Sequence, residues 1–92
     1  MYEIIRSRAY FRSLKRLSRS GRFDISKLEN VIIKIKNGQK LDQKHADHEL
    51  KGRFMVVREC HVEPDLLLMY KIEKEILLLT LLNLGSHSYL FG

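Results

Sequence analysis

The sequence predicts an α+β fold: a helical hairpin covering one face of a small, mostly antiparallel, four-stranded sheet. Two amphipathic stretches between residues 7 and 37, each opened by a capping residue, supply the hairpin. Three short apolar runs after residue 54, joined by short polar connections, supply most of the sheet. The hydrophobic pattern changes from helical spacing to strand-length runs between the two halves. A length of 92 residues suits one domain, residues 1–92.

Tyr2–Arg6 is short and partly β-branched and reads as a first strand. Ser7 is placed to cap a helix in which Tyr10, Leu14 and Leu17 recur at spacings of four and three. Arg8, Arg12, Lys15, Arg16 and Arg19 fall mostly off that stripe and give the helix a basic outer face. Gly21 stops it. Asp24 caps a second helix, with Phe23 and Leu28 spaced as a hydrophobic staple. Leu28, Val31, Ile32 and Ile35 form its apolar stripe, and Gly38 ends it. The helices are expected over Ser7–Arg19 and Asp24–Asn37.

Residues 39–52 are polar and without period, which predicts a loop. Phe54–Glu59, Leu66–Ile72 and Ile76–Leu82 follow as strands, joined tightly enough for antiparallel pairing. The last two are apolar on both faces and belong in the middle of the sheet. Leu14, Leu17, Leu28, Val31, Ile32, Ile35, Leu67, Met69, Leu77 and Leu79 are the expected core.

The chain carries 17 Lys and Arg against 11 Asp and Glu, a net charge of +6. The excess is concentrated: residues 1–53 hold 14 basic and 6 acidic side chains, residues 54–92 hold 3 and 5. On charge alone a basic half reads either as a site for a polyanion or an acidic partner or as a solvated, Lys/Arg-rich helical surface. One cysteine excludes an internal disulfide framework. No apolar run approaches the ~18 residues of a membrane span, and no signal-like segment opens the chain. A soluble, cytoplasmic protein with no membrane partner is expected.

His45, His48, His61 and His87 all lie in expected loops or at strand ends, where proton transfer near neutral pH is available to them. Zinc ligation is a poor fit. Cys60 and His61 are adjacent, so a strand points them to opposite faces, and no paired ligand spacing is present. The same geometry opposes a Cys–His nucleophile pair, and Cys60 reads as a small core residue.

Three blocks stand in order: Asp47-His48-Glu49-Leu50-Lys51-Gly52, Arg58-Glu59-Cys60-His61-Val62-Glu63-Pro64-Asp65, and Gly85-Ser86-His87-Ser88-Tyr89-Leu90-Phe91. In order and spacing they resemble the YafQ-type toxins, a branch of the RelE/ParE superfamily of bacterial type II toxin–antitoxin systems. The likeness is dense from Asp47 to Phe91; the N-terminal half shares length, basic charge and helical layout.

That resemblance implies a RelE/ParE-like fold and a ribosome-dependent endoribonuclease (an mRNA interferase) that inhibits translation by cutting mRNA in the A site. It implies no metal or cofactor: the ribose 2′-OH attacks the adjacent phosphate and leaves a 2′,3′-cyclic phosphate. His48, His61, Asp65 and His87 match the family's catalytic positions, and Phe91 its near-terminal aromatic. Asn83 stands where active members carry an arginine, a neutral amide in place of a planar cation. This implies a weakened toxin, an engineered detoxified variant, or a charge supplied by Lys51, Arg53 or Arg58. A partner antitoxin is implied, DNA-binding and with an acidic segment wrapping the basic half. The alternative is a non-catalytic or ParE-like toxin that acts by binding a protein target, or binds only its antitoxin.

Overall fold

The structure is a computed structural model and describes residues 1–50 and 57–92. In chain order the elements are β1 (Glu3–Arg6), α1 (Arg8–Ser18), α2 (Ile25–Lys36), a 3-10 turn (Gln43–His45), β2 (His48–Glu49), β3 (Arg58–Glu63), β4 (Leu66–Glu73), β5 (Leu78–Gly85) and α3 (His87–Phe91). The sheet has five strands in the order β1-β5-β4-β3-β2. Among the described residues only the β1–β5 pair is parallel. The two long helices therefore lie on the connection between β1 and the rest of the sheet, as a parallel pair requires a long crossover.

Local chemistry starts each helix where the sequence places it. The Ser7 hydroxyl oxygen accepts from Tyr10 N–H at 3.0 Å while its hydrogen goes to the Leu82 carbonyl at 2.6 Å. One side chain thus caps α1 and ties it to β5. Asp24 Oδ1 accepts from Ser26 N–H at 3.0 Å and opens α2. Gly21 and Gly38 follow the two helices with positive φ (77° and 71°), the conformation glycine reaches without steric cost.

The core is a single apolar cluster between helices and sheet. Tyr10 and the α2 stripe Leu28, Val31, Ile32 and Ile35 meet Cys60, Val62, Leu66, Leu68, Tyr70, Leu79, Leu81 and Leu84. A bulge makes the last member possible. Met69 pairs with Asn83 but Tyr70 pairs with Leu81, so β5 carries one extra residue. Strict alternation from Leu79 and Leu81 would send position 83 inward; the extra residue sends Leu84 there instead.

Several expectations are corrected. The sheet has a fifth strand because His48–Glu49, inside the expected loop, pairs with Arg58–Glu59. The β4–β5 turn occupies residues 74–77, later than the charged triplet suggested. Leu77 consequently sits in the turn, 52% exposed and with φ of 52°, outside the core. Strand β5 runs on to Gly85, and an unexpected short helix, α3, follows. Leu14 and Leu17 are only partly buried against the core. Met69 is half-buried on the other face of the sheet. Residues 54–56, the expected start of the third-last strand, lie outside the described residues.

Candidate active site

Cys60, Val62, Leu66 and Leu68 face the helices, so the residues alternating with them face away. Strand register then builds the opposite face. His61 on β3, Leu67 on β4 and Gly85 on β5 stand side by side. Asp65 lies in the two-residue turn joining β3 to β4, and His87 follows Gly85 by two residues. His61, Asp65 and His87 therefore share one end of the sheet. In the neighbouring row Glu59 pairs with Met69, and His48 extends the row from β2.

The short C-terminal helix sets the position of two candidate groups. The Ser86 hydroxyl accepts from Tyr89 N–H at 3.1 Å and starts α3. His87 and Phe91, four residues apart, fall on one side of it, with ring centroids 5.0 Å apart. Tyr89 points elsewhere. Its ring lies under the Arg16 guanidinium at 3.8 Å, and its hydroxyl is 3.4 Å from Ser13 Oγ. The Ser13 hydrogen bond, with Arg16 and Arg12 adding positive charge, holds the Tyr89 phenol below its ordinary range. Gly85 makes room for this ring: a Cβ there would come within 2.6 Å of Tyr89 Cδ2.

The histidines differ in what their ring nitrogens meet. His61 Nδ1 lies 3.3 Å from the Pro64 carbonyl oxygen. A carbonyl only accepts, so Nδ1 carries the hydrogen and Nε2 keeps its lone pair. His48 Nδ1 is 2.6 Å from the Ala46 carbonyl, and its Nε2 is 3.2 Å from Glu59 Oε2. Both its nitrogens are thus directed at acceptors. Glu59 is only 5% exposed, and its Oε1 is buried with no hydrogen-bond partner among the described residues. A buried carboxylate beside His48 is the feature that the sequence pattern did not single out. Its signal was present: Glu59 and His61 stand two apart in a strand and so share a face.

Two expected binding residues are placed differently. Asn83 Oδ1 accepts from Ser13 Oγ–H at 2.6 Å and from Leu84 N–H at 2.8 Å, so its carbonyl is used inside the fold. Arg58 alternates with Glu59 and His61, hence lies on the helix side. It is paired with Asp47 at 3.3 Å and Glu49 at 3.4 Å, and reaches the Tyr70 hydroxyl. Tyr70 in turn donates to Asp47. Burial, with Asp47 second, pushes the Tyr70 phenol strongly upward. The structure does not bring Arg58 to the His61 group, because its charge is engaged where carboxylates already balance it. Lys51 and Arg53 lie outside the described residues.

Residues 2–92 match the model of the family described as the bacterial toxin of type II toxin–antitoxin systems, YafQ. The chain belongs to the YafQ toxin family. An mRNA interferase toxin YafQ of Escherichia coli K12 is 37% identical over 70 residues, which cover 75% of this chain and 74% of that protein. A metal-bound toxin from Helicobacter pylori superposes with a TM-score of 0.92 at 44% identity, over 99% of this chain and all of that one. The YafQ of an Escherichia coli DinJ–YafQ complex gives 0.87 at 31% identity, over the full length of both. The YafQ fold is thus an α+β fold with a mixed sheet, here of five strands. The Helicobacter toxin is a metal-bound form. In this chain no group of three or more His, Cys, Asp or Glu among the described residues is placed to hold an ion.

Proposed function

We propose that this YafQ-family chain, residues 1–92 acting as one domain, is a ribosome-dependent endoribonuclease that cuts mRNA in the A site. The single observation that carries the reading is the register His61–Leu67–Gly85, which sets the segments bearing His61, Asp65 and His87 at one end of the sheet. Three proton-handling groups are thus supplied there by separate segments of the chain. The name of the Escherichia coli relatives, mRNA interferase toxin, supports the same chemistry.

The reaction needs a base, an acid and charge stabilisation. His61 Nε2, left with its lone pair by the Pro64 hydrogen bond, takes the proton of the ribose 2′-OH. The 2′-oxygen then bonds to phosphorus, and the bond from phosphorus to the 5′-oxygen breaks. His87 returns a proton to that leaving oxygen. The products are a 2′,3′-cyclic phosphate and a free 5′-OH. Asp65, exposed at the turn beside Pro64, adds a carboxylate to the catalytic set, and the Phe91 ring beside His87 offers a stacking face for a splayed nucleobase. His48 completes the catalytic set, its ring held between the Ala46 carbonyl and Glu59.

The basic half is suited to ribosomal RNA and to the acidic segment of a cognate antitoxin in turn. The DinJ–YafQ complexes of Escherichia coli support such a partner. No helix among the described residues is long and apolar enough to cross a membrane, which agrees with work on cytoplasmic ribosomes. The second reading, a toxin that binds without cutting, is favoured by one observation: Asn83 supplies no cation and has its carbonyl engaged by Ser13 and Leu84.

Purified translating ribosomes discriminate the two. Wild-type chain should cut the mRNA and leave a cyclic phosphate terminus, and His87→Ala should lower the rate by ~10²-fold or more, the usual worth of positioned acid catalysis. Growth arrest without any cut mRNA would support the binding reading instead.

A further inference from the structure

Beyond Glu59 the outer edge of β3 is no longer covered by β2, which pairs only with Arg58 and Glu59. The 3-10 turn Gln43–His45 takes over, and His45 Nδ1 sits 2.6 Å from the His61 carbonyl oxygen. The carbonyl can only accept, so the hydrogen is on Nδ1 and the lone pair on Nε2. His45 is 8% exposed. Its Nε2 has no hydrogen-bond partner among the described residues and is not sealed off from solvent, so it is open to a ligand.

His45 forms part of the wall of an open cleft of about 380 Å³ between α2 and the β3 edge, within the size range of small-ligand sites. Lys34 of α2 and Lys44 of the turn line the same cleft, and neither ammonium is ion-paired among the described residues. Lys27 is already held by Glu63 at 3.2 Å, and Asp42 is the other carboxylate of the lining. His61 lines the cleft as well. The cleft therefore runs along the strand edge that carries His61, with the His61 carbonyl holding His45 at its wall.

We propose that this cleft is a subsite for the nucleotide flanking the cleaved bond, with Lys34 and Lys44 meeting its phosphate and His45 Nε2 accepting from a base amino group or ribose hydroxyl. The inference rests on the RNA-cleaving reading of the neighbouring site. The charge of the lining argues for a nucleotide over an acidic peptide. Two unpaired ammoniums ask for an anion, and a lone-pair nitrogen asks for a hydrogen, both of which a nucleotide brings. With Asp42 set against one ammonium and Lys27 paired with Glu63, the lining keeps a single positive charge, enough for one phosphate and too little for a run of carboxylates.

The test uses the full chain carrying His87→Ala and a mixed-sequence single-stranded RNA octamer, followed by NMR of the histidine rings. The His45 and His61 rings should shift together as RNA is added. Lys34→Ser with Lys44→Ser, both on the surface, should weaken binding by ~10-fold and flatten the salt dependence by about 0.7 in slope for each phosphate no longer neutralised. An unmoved His45 ring, or unchanged affinity and slope in the double variant, overturns the proposal. So does a hexaglutamate peptide that shifts His45 where the octamer does not, since the cleft would then be a peptide site. Cleavage on ribosomes is read separately. Cutting by wild type, with RNA binding and rate unaffected by the two lysine changes, removes the subsite and leaves the nuclease. No cutting by wild type, with octamer binding that needs both lysines, removes the nuclease and leaves an RNA-binding cleft.

Discussion

Position 83 shows how one side chain is divided between fold and chemistry. Asn83 joins β5 to α1 through Ser13, which is fully buried, so the amide has a structural task. An arginine there would lose that bond and gain a permanent charge near the open face. Asn83→Arg is expected to raise cleavage on ribosomes by ~10-fold, mainly in the chemical step, because negative charge grows in the transition state. An unchanged single-turnover rate would mean that another cation already serves. Gly85 carries a second prediction. The atoms a new Cβ would meet are Tyr89 Cδ2 at 2.6 Å and Cγ at 3.2 Å, the near part of the ring, which moves only if the whole side chain swings. Gly85→Ala should therefore cost about 1–3 kcal/mol in urea melts, the range of overpacking, and displace His87. Adding Tyr89→Ala should return most of that loss, a coupling that a double-mutant cycle measures directly.

Among the elements, α1 carries the largest net charge. Arg8, Arg12, Lys15 and Arg19 form its basic surface, while Arg16 is turned over the Tyr89 ring. That cation–π interaction ties the exposed Arg16 to α3. Reversing Arg8, Arg12 and Arg19 to glutamate should weaken ribosome association steeply and make it less salt-dependent, whatever the mRNA sequence. Sedimentation at two salt concentrations would show it, and unaltered association would reduce this face to a solvated surface. Strand β5 is the other element with more than one duty. Its extra residue lets Leu84 join the core while Asn83 meets α1 and Gly85 ends the strand under Tyr89.

For the molecule as a whole, the buried thiol ties stability to pH. Burial pushes Cys60 up to about 12, whereas an unfolded thiol ionises near ~8.5. Between those values the unfolded chain has lost a proton that the folded chain keeps, so stability falls as pH rises. The decline should approach ~1.4 kcal/mol per pH unit above about pH 9. Tyr70, also shifted upward by burial, should add to it at still higher pH. Urea melts at about pH 7 and about pH 10.5 should show the loss, and Cys60→Ala should remove the thiol's share of the slope. A slope that persists in full in that variant would place the cause elsewhere.

The sequence by itself determined the caps Ser7 and Asp24, the α2 stripe, the inward face of Cys60 and the central strands, because each follows from local hydrogen bonding or from burial periodicity. The three motif blocks likewise marked the family before any coordinates. Other features depended on partners distant in the chain. The bulge in β5 shifts which residues face inward, and no single-strand pattern records an inserted residue until its neighbour's register is known. Glu59 looks like an ordinary polar position in the sequence, and spacing does not say what His45 and His48 touch; docking of residues 43–49 on the β3 edge buries His45 and sets His48 beside Glu59. Arg58 and His61 share one motif block but end on opposite faces of the sheet, with different partners. Sequence spacing supplies the chemistry of a side chain; only the packed sheet decides what that side chain can touch.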